Sequence, residues 1–438
     1  MNRVVRAGIC LLGVFLSAWH CFAQQTVTAA EQFHRLREQA DAARKSGDKQ
    51  ARLKAVLELV ALLNNAPDAI EAAAKAYAEA GDAEHALALL EKFGDLGQVD
   101  ESLLSGENKS FSAMEKLPRY QSILQRFREN KSAIAHGESV FELSDPGLLA
   151  EDIDYDPRTK TFLITSVLEK KIVRVDSNGK VKDFALSPSH WPMLGVKVDA
   201  ARGLVWATEV ALEDFKSVPK SEWGRSAILC FNLASGQLAR RIEAAGKTAL
   251  GDLVLTRDGT AIVSDSANGG VYRLSGDRLE LVDGTDFISP QTPAMHPDGK
   301  HVFVPDYARG IGVLDLNSRQ VRWVDQGSKH THALNGIDGL YFDGGSLIAT
   351  QNGSSPERVV RFKLNSDFTA VASEQVIERS TPTLGDPTHG VVVGDYFYYI
   401  ANSGWDVVDD SGEVKAGAKL TPARVMRFQT KSRINGLK

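Results

Sequence analysis

Three segments of this sequence begin with carboxylates that could do chemistry together. Glu151 and Asp152 stand directly before an alternating apolar run in LLAEDIDYDPRTKTFLITS. Asp252 holds the corresponding place in GDLVLTRDGTAIVSD, and Asp338 holds it in DGLYFDGGSLIAT. Carboxylate oxygens are the ligands that hard divalent cations prefer, and a carboxylate can also accept a proton from water. The chemistry in question is therefore cation binding and hydrolysis, provided that the fold brings these residues together.

The segments that carry these residues are copies of one unit, which recurs about every 40 to 57 residues after residue 137. Each copy contains short strands with an apolar period of two, separated by Gly and Asp turns. The copies begin near Glu151, Leu194, Gly251, Gln291, Asp338 and Thr388. A repeat of this size is typical of a propeller blade, so the pattern predicts a mainly β fold, a six-bladed β-propeller over residues 137–438. An eight-bladed or open array of the same units is the alternative.

The first strand of each propeller blade starts at one rim of the central channel, so the first residues of the six copies should converge there. The residues that directly follow them are Asp152, Gly195, Asp252, Thr292, Gly339 and His389. Carboxylates that converge without a counter-charge would repel one another and lose hydration, unless a cation takes them as ligands. The pattern therefore predicts a divalent cation in the channel mouth. The alternative is that these carboxylates only stabilise turns.

Three stretches resemble the gluconolactonase and regucalcin group, also called the senescence-marker-protein family, and the resemblance extends over about 290 residues. They are residues 338–350 (DGLYFDGGSLIAT), 251–274 (GDLVLTRDGTAIVSDSANGGVYRL) and 292–306 (TPAMHPDGKHVFVPD). In that family, a Glu of the first blade, Asn residues of two later blades and an Asp of a fifth hold Ca²⁺ or another divalent ion. LAEDID is also similar to the first-blade Glu-Asp pair of paraoxonases.

The resemblance implies specific roles. Glu151 and Asp338 match the family's Glu and Asp, Gln291 falls where one Asn is expected, and these three are the implied metal ligands. The ion would be Ca²⁺, with Zn²⁺ or Mg²⁺ as alternatives. Gly251 falls where the other Asn is expected, while its neighbour Asp252 matches the Asp that accompanies that Asn.

The activity that the resemblance implies is hydrolysis of a small-molecule lactone or ester. The general base would be Asp338 or Asp252, and His389 or His332 would orient the substrate. The alternative is a non-catalytic propeller that binds a small ligand or a protein partner, since Gly251 removes one expected ligand.

Residues 24–136 show a helical period instead, with apolar residues at three- and four-residue spacing in runs closed by Gly, Asn or Asp. The stretch AAKAYAEAGDAEHALALLEKFGD resembles a tetratricopeptide repeat. The sequence thus predicts a small α-helical segment before the propeller, and a segment of this kind is a candidate docking surface for a protein partner.

Residues 1–23 combine two arginines, an apolar stretch and a small-x-small site, a pattern that predicts a cleaved secretory signal and a secreted or periplasmic protein. Cys230 is then the single cysteine left, which excludes an intramolecular disulfide and favours a buried structural thiol. No later segment approaches a membrane span. The net charge of −5 and pI near 6.1 argue against a nucleic-acid partner.

Histidines and tryptophans provide two further hypotheses. His330 and His332 in KHTHALNGIDG, together with His389 and an Asp, could bind zinc or another transition metal, although loop histidines are also common as surface or capping groups. Trp191, Trp223 and Trp405 lie in predicted loops, where they could wall a pocket for a ring-shaped ligand or pack over the blade ends.

Overall fold

Six antiparallel sheets form a six-bladed β-propeller in the computed structural model, which describes residues 27–327 and 332–430. The fold predicted from the repeat is thus confirmed. The innermost strand of each blade packs beside the innermost strands of its neighbours, so the ring closes around a central channel. The predicted signal, residues 1–23, and His330 lie outside the described residues.

The strands follow the chain order of the repeat, and a short segment before the first blade supplies two more. That segment contains β1 (Ile134–Ala135) and β2 (Glu138–Glu142). Blade 1 contains β3 (Ala150–Asp156), β4 (Thr161–Ser166), β5 (Lys171–Val175) and β6 (Val181–Leu186). Blade 2 contains β7 (Met193–Asp199), β8 (Leu204–Val210), β9 (Ser226–Asn232) and β10 (Leu238–Glu243). Blade 3 contains β11 (Leu250–Leu255), β12 (Ala261–Asp265), β13 (Gly270–Ser275) and β14 (Arg278–Asp283).

The other three blades repeat the same up-and-down order. Blade 4 contains β15 (Ala294–Met295), β16 (His301–Asp306), β17 (Gly310–Asp315) and β18 (Val321–Trp323). Blade 5 contains β19 (Gly339–Asp343), β20 (Ser346–Gln351), β21 (Arg358–Leu364) and β22 (Val371–Arg379). Blade 6 contains β23 (Gly390–Val393), β24 (Tyr396–Ile400) and β25 (Arg424–Gln429).

The segment before blade 1 closes the ring of blades by pairing with strands of blades 5 and 6. Strand β2 forms the outermost strand of blade 6, where Glu138 pairs with Arg427, and β1 adds an outer strand to blade 5. Blade 6 is therefore built from both ends of the propeller sequence, and the ring is closed by backbone hydrogen bonds rather than by side-chain packing alone.

The propeller core lies between neighbouring blades, because each strand presents alternate side chains to the two faces of its sheet. One such cluster joins Leu163 of blade 1 to Val205 and Leu229 of blade 2. Cys230 is buried in the next cluster, and burial raises the pKa of its thiol to about 11. The interpretation of Cys230 as a structural thiol agrees with this environment.

Six α-helices lie within the described residues before the propeller. They are α1 (Ala29–Ser46), α2 (Lys49–Leu62), α3 (Pro67–Ala80), α4 (Ala83–Asp95), α5 (Glu101–Ser105) and α6 (Pro118–Asn130). A capping box at Thr28 starts α1, and Gly47 and Gly81 end α1 and α3 in the left-handed conformation. The likeness to a tetratricopeptide repeat remains a prediction. No described helix has the length and apolar character needed to cross a membrane.

The helices rest on one face of the propeller, over the loops of blades 3 to 5. The Ala29 N–H donates to Thr285 O (2.8 Å), Arg309 Nε donates to Leu62 O (3.0 Å), and the Val99 N–H donates to Ser355 O (2.6 Å). Because Arg309 and Ser355 lie in turns at the end where β15 and β19 begin, the helices occupy the face at which the predicted site residues converge.

Candidate functional site

Four of the predicted site residues meet at the channel mouth. Glu151 and Asp252 lie in the innermost strands β3 and β11, while Asp338 and His389 directly precede β19 and β23. One ligand atom each from Glu151, Asp338 and His389 can be chosen so that all three lie within 4.8 Å of one another. Asp252 Oδ1 lies 3.0 Å from His389 Nε2. The register of the repeat thus placed residues from four different blades at one point.

Each of the two central carboxylates is held through one oxygen and leaves the other available. Trp405 Nε1 donates to Glu151 Oε2 (2.6 Å), and Asn352 Nδ2 donates to Asp338 Oδ2 (2.9 Å). Tyr307 OH in turn donates to Asn352 Oδ1 (3.0 Å). Outer hydrogen bonds of this kind fix the direction of a ligand oxygen before a cation binds.

His389 is fixed in the same manner and is almost completely buried, with 1% of its surface exposed. Its Nδ1–H donates to the backbone oxygen of Glu151 (2.9 Å), so that Nε2 points toward the carboxylates. Nε2 is within ion-pair distance of Asp252 but makes no well-directed hydrogen bond to any described residue. A buried ring nitrogen that lacks a hydrogen-bond partner is a candidate metal ligand.

The electrostatics of the cluster follow from burial and from the proximity of like charges. Burial raises the pKa of both Glu151 and Asp338, and nearby carboxylates raise them further although His389 opposes this. Burial would also raise the pKa of Asp252, but His389 and Lys197 lower it below its usual value. Burial would lower the pKa of His389, yet Asp252 and Asp338 raise it well above 6.5. Without a cation, His389 is therefore protonated and partly balances the acidic residues.

These shifts predict how the stability of the metal-free protein depends on pH. Glu151, Asp338 and His389 all have folded-state pKa values above their unfolded values, so the folded state binds more protons and its stability decreases as pH rises. We expect the melting temperature in a chelator to fall between about pH 5 and 8. A Glu151→Gln/Asp338→Asn variant should show a smaller decrease, and an identical decrease in both proteins would contradict the assignment.

The residues present fit a divalent cation. Two carboxylates supply oxygen donors and His389 supplies an imidazole nitrogen, while the Trp405 and Asn352 bonds orient the first two. An imidazole nitrogen is a better ligand for Zn²⁺ or another transition ion than for Ca²⁺, which prefers oxygen ligands alone.

Other predicted residues lie outside this cluster or at its edge. The Gln291 amide donates to the backbone and side-chain oxygens of Ser289, and within the described part of the chain it makes no hydrogen bond to Glu151 or Asp338. A Cβ added at Gly251 would meet no atom within 4 Å, so open space stands where the family resemblance places an Asn. His332 Nδ1 lies 3.1 Å from Glu374, which gives no support to a zinc site shared with His389.

Of the three tryptophans, Trp405 contacts the site. Trp191 Nε1 donates to Glu222 and Trp223 Nε1 donates to Val218 O, so both indoles are held within the loops over blade 2. Trp405 thus orients a site carboxylate, and packing over the blade ends describes the other two, while the pocket-wall hypothesis stays a prediction.

The sequence did not indicate that a lysine, Lys197, lies in the channel next to the cluster of site residues. Lys197 Nζ lies 2.6 Å from Asp152 Oδ2 and donates to Val196 O, and Asp152 also accepts the backbone N–H groups of Ile153 and Val196. Lys197 lies in β7, the innermost strand of blade 2, so its side chain points into the channel. Asp152 therefore forms a structural ion pair with Lys197, whereas its neighbour Glu151 faces the candidate site.

Comparisons with known proteins describe the fold and leave the activity open. Neither a protein-family model nor a curated protein matches the sequence. Among solved structures, a gluconolactonase from Xanthomonas campestris is similar, with 16% identity, a TM-score of 0.46 and coverage of 66% of this chain and 88% of that chain. An aldose sugar dehydrogenase from Streptomyces coelicolor in its PQQ-bound form has 14% identity and a TM-score of 0.45, with coverage of 68% and 99%.

A virginiamycin B lyase from Staphylococcus aureus is similar at the same level, with 13% identity, a TM-score of 0.43 and coverage of 67% of this chain and 98% of that chain. These proteins are named for three different activities, and all three TM-scores lie below 0.5. The function of this chain has to be argued from its own site.

Proposed function

We propose that this protein is a secreted, divalent-metal-dependent hydrolase of a lactone or ester, with Glu151, Asp338 and His389 as the metal ligands. The observation that carries the proposal is the convergence of their ligand atoms to within 4.8 Å, with the carboxylate of Asp252 beside them. A divalent cation at such a position polarises a carbonyl group and lowers the pKa of bound water.

Asp252 is the proposed general base. In the metal-free site its pKa is lowered, because His389 and Lys197 outweigh the effect of burial. When His389 is neutral as a metal ligand, the cation and Lys197 would keep Asp252 ionised and able to accept a proton near neutral pH. In the proposed reaction it takes a proton from water as the water oxygen attacks the carbonyl carbon. The same proton then passes to the leaving oxygen as the carbon–oxygen bond of the lactone or ester breaks.

The remaining side chains position these groups. Trp405 and Asn352 fix the two carboxylates, and the Glu151 backbone oxygen fixes the His389 tautomer. The open space beside Gly251 leaves room at the rim for a substrate carbonyl. This arrangement makes no use of a nucleophilic serine.

A non-catalytic propeller that binds a small ligand is the second candidate. It is favoured by one observation, the unfilled space at Gly251, where the family resemblance places a metal ligand. Such a protein would bind its ligand equally well after removal of the proposed base.

The test is hydrolysis of γ-butyrolactone, gluconolactone and p-nitrophenyl acetate in Ca²⁺, Zn²⁺, Mn²⁺ or Mg²⁺ and in a chelator. We expect activity with at least one ion, loss of activity in the chelator, and a decrease of about 10²- to 10⁴-fold in kcat for Asp252→Asn. Asp258→Asn, a turn carboxylate at the other end of the same strand, is the matched control and should keep full activity. Hydrolysis that survives the chelator, or no hydrolysis with any ion, would refute the proposal.

A further inference from the structure

A cavity of about 420 Å³ lies between the helical segment and the propeller. Its upper wall comes from α1 to α3, and its floor comes from the loops of blades 4 and 5. The wall is apolar and consists mainly of Phe33, Val56, Leu59, Leu63, Ala69 and Ala72. The volume falls within the range of small-molecule pockets, roughly 300 to 1,000 Å³.

The floor of this cavity is linked to the candidate site by hydrogen bonds. Tyr307 lines the floor, and its hydroxyl is joined through Asn352 to Asp338 by two hydrogen bonds. Gly353 and Gly336 also line the floor, and they stand one residue after Asn352 and two residues before Asp338. Asp338 therefore lies one side chain, that of Asn352, beyond the floor of the cavity.

The floor is too tightly packed to collapse into the cavity easily. A Cβ added at Gly353 would lie 2.5 Å from Tyr307 Cζ, and one at Gly336 would lie 2.4 Å from Gly353 O. The Gly336 N–H donates to Tyr307 O and the Gly353 N–H donates to Gly336 O. These contacts fix the Tyr307 ring between the cavity and Asn352.

Polar and charged groups are few in the lining of the cavity, and in the floor they include Asn335, whose buried Oδ1 has no hydrogen-bond partner among the described residues. The charged lining residues are Arg37, whose guanidinium lies 5.5 Å from the Phe33 ring centroid, and Asp68, and both are exposed in part. The other lining side chains of the helices are apolar, so burial of a hydrocarbon group would be favourable there.

We infer that this cavity binds an apolar alkyl or aryl substituent of the substrate, and that the helical segment thereby sets substrate specificity. The inference rests on the proposed hydrolase, and it narrows the substrate class to lactones or esters with a hydrocarbon substituent next to the reacting group. It also gives the helices a role within the chain rather than toward a protein partner.

The test compares γ-butyrolactone, γ-octalactone and γ-decalactone in two measurements. The first is binding by calorimetry in a chelator, which does not depend on turnover, and the second is kcat/KM with the activating ion. We expect both quantities to improve with chain length, by up to about fourfold for each methylene that is buried. Ala72→Phe, which fills the cavity from α3, should abolish the improvement of both quantities with chain length.

Ala80→Phe is the matched control, since Ala80 lies on the same helix, is similarly half-buried and does not line the cavity. If Ala72→Phe does not fold, Val56→Ala enlarges the cavity and should weaken γ-decalactone binding several-fold relative to γ-butyrolactone binding. The inference is overturned if binding and kcat/KM of the wild type do not depend on the length of the lactone substituent. It is also overturned if this dependence persists in Ala72→Phe. Absence of hydrolysis alone refutes the proposed function, while the binding series still decides the role of the cavity.

Discussion

Addition of a divalent cation should stabilise the wild-type protein and should have no effect on a Glu151→Gln/Asp338→Asn variant. A ligand that binds only the folded state raises the free energy of unfolding by about 2.7 kcal/mol at a hundredfold excess over its Kd. Because the donor atoms are already oriented by Trp405 and Asn352, little rearrangement opposes binding. The measurement is thermal or denaturant unfolding with Ca²⁺, Zn²⁺, Mn²⁺, Mg²⁺ or a chelator.

The stability of the metal-free double variant serves as the control for its folding. Both substitutions replace buried carboxyl groups of raised pKa by neutral groups of similar shape, so the metal-free variant should be at least as stable as the metal-free wild type near pH 8. A loss of the metal response in a less stable variant would only indicate damage to the fold. If none of these ions stabilises the wild-type protein, the proposed metal site is refuted.

Replacement of Lys197 by Met should destabilise the protein by about 3 to 5 kcal/mol, the range typical when one partner of a buried ion pair is removed. Lys197 is the cation beside Asp152, which is fully buried, and it also acts on Asp154, whose pKa burial raises to about 6. Without Lys197 these two carboxylates would face each other in the channel. The measurement is the free energy of unfolding from denaturant titration.

A second substitution should restore much of the stability that Lys197→Met loses. Lys197→Met/Asp152→Asn removes both charges, so its stability should lie well above that of Lys197→Met alone. Lys182→Met is the matched control, since Lys182 is an exposed strand lysine and its replacement should change stability by no more than about 0.5 kcal/mol. A single Lys197→Met variant as stable as this control would show that the ion pair is not needed.

The fold and the centre of the site could be predicted because both depend on a repeated pattern. Alignment of the copies on their turns placed Glu151 and Asp338 at the first position of their copies, and Asp252 and His389 at the position that follows, and the propeller geometry makes both positions converge. Periodicity thus carried information across the whole propeller, from blade 1 to blade 6.

The residues that orient the site could not be found in the same manner, because they lie in loops that differ between copies. Trp405 follows β24 and reaches Glu151 from the far end of the sequence, and Asn352 lies in the turn after β20. Lys197 was missed for another reason. Its strand alternates apolar and polar residues as a half-exposed strand does, yet the polar face of an innermost strand lines the channel instead of facing solvent.

The closure of blade 6 by β2 has a consequence for how the protein folds. Glu138 and Arg427 pair across almost the entire propeller sequence, so a chain under synthesis cannot complete its ring until the last strand has emerged. Contacts of such long sequence separation carry a large loop-closure entropy and are associated with slow folding. Until β25 is available, β2 and the outer edge of blade 6 remain unpaired. An incomplete chain would therefore present β2 and the outer edge of β24 as open strand edges that favour association with other chains, whereas in the finished ring β25 pairs with both.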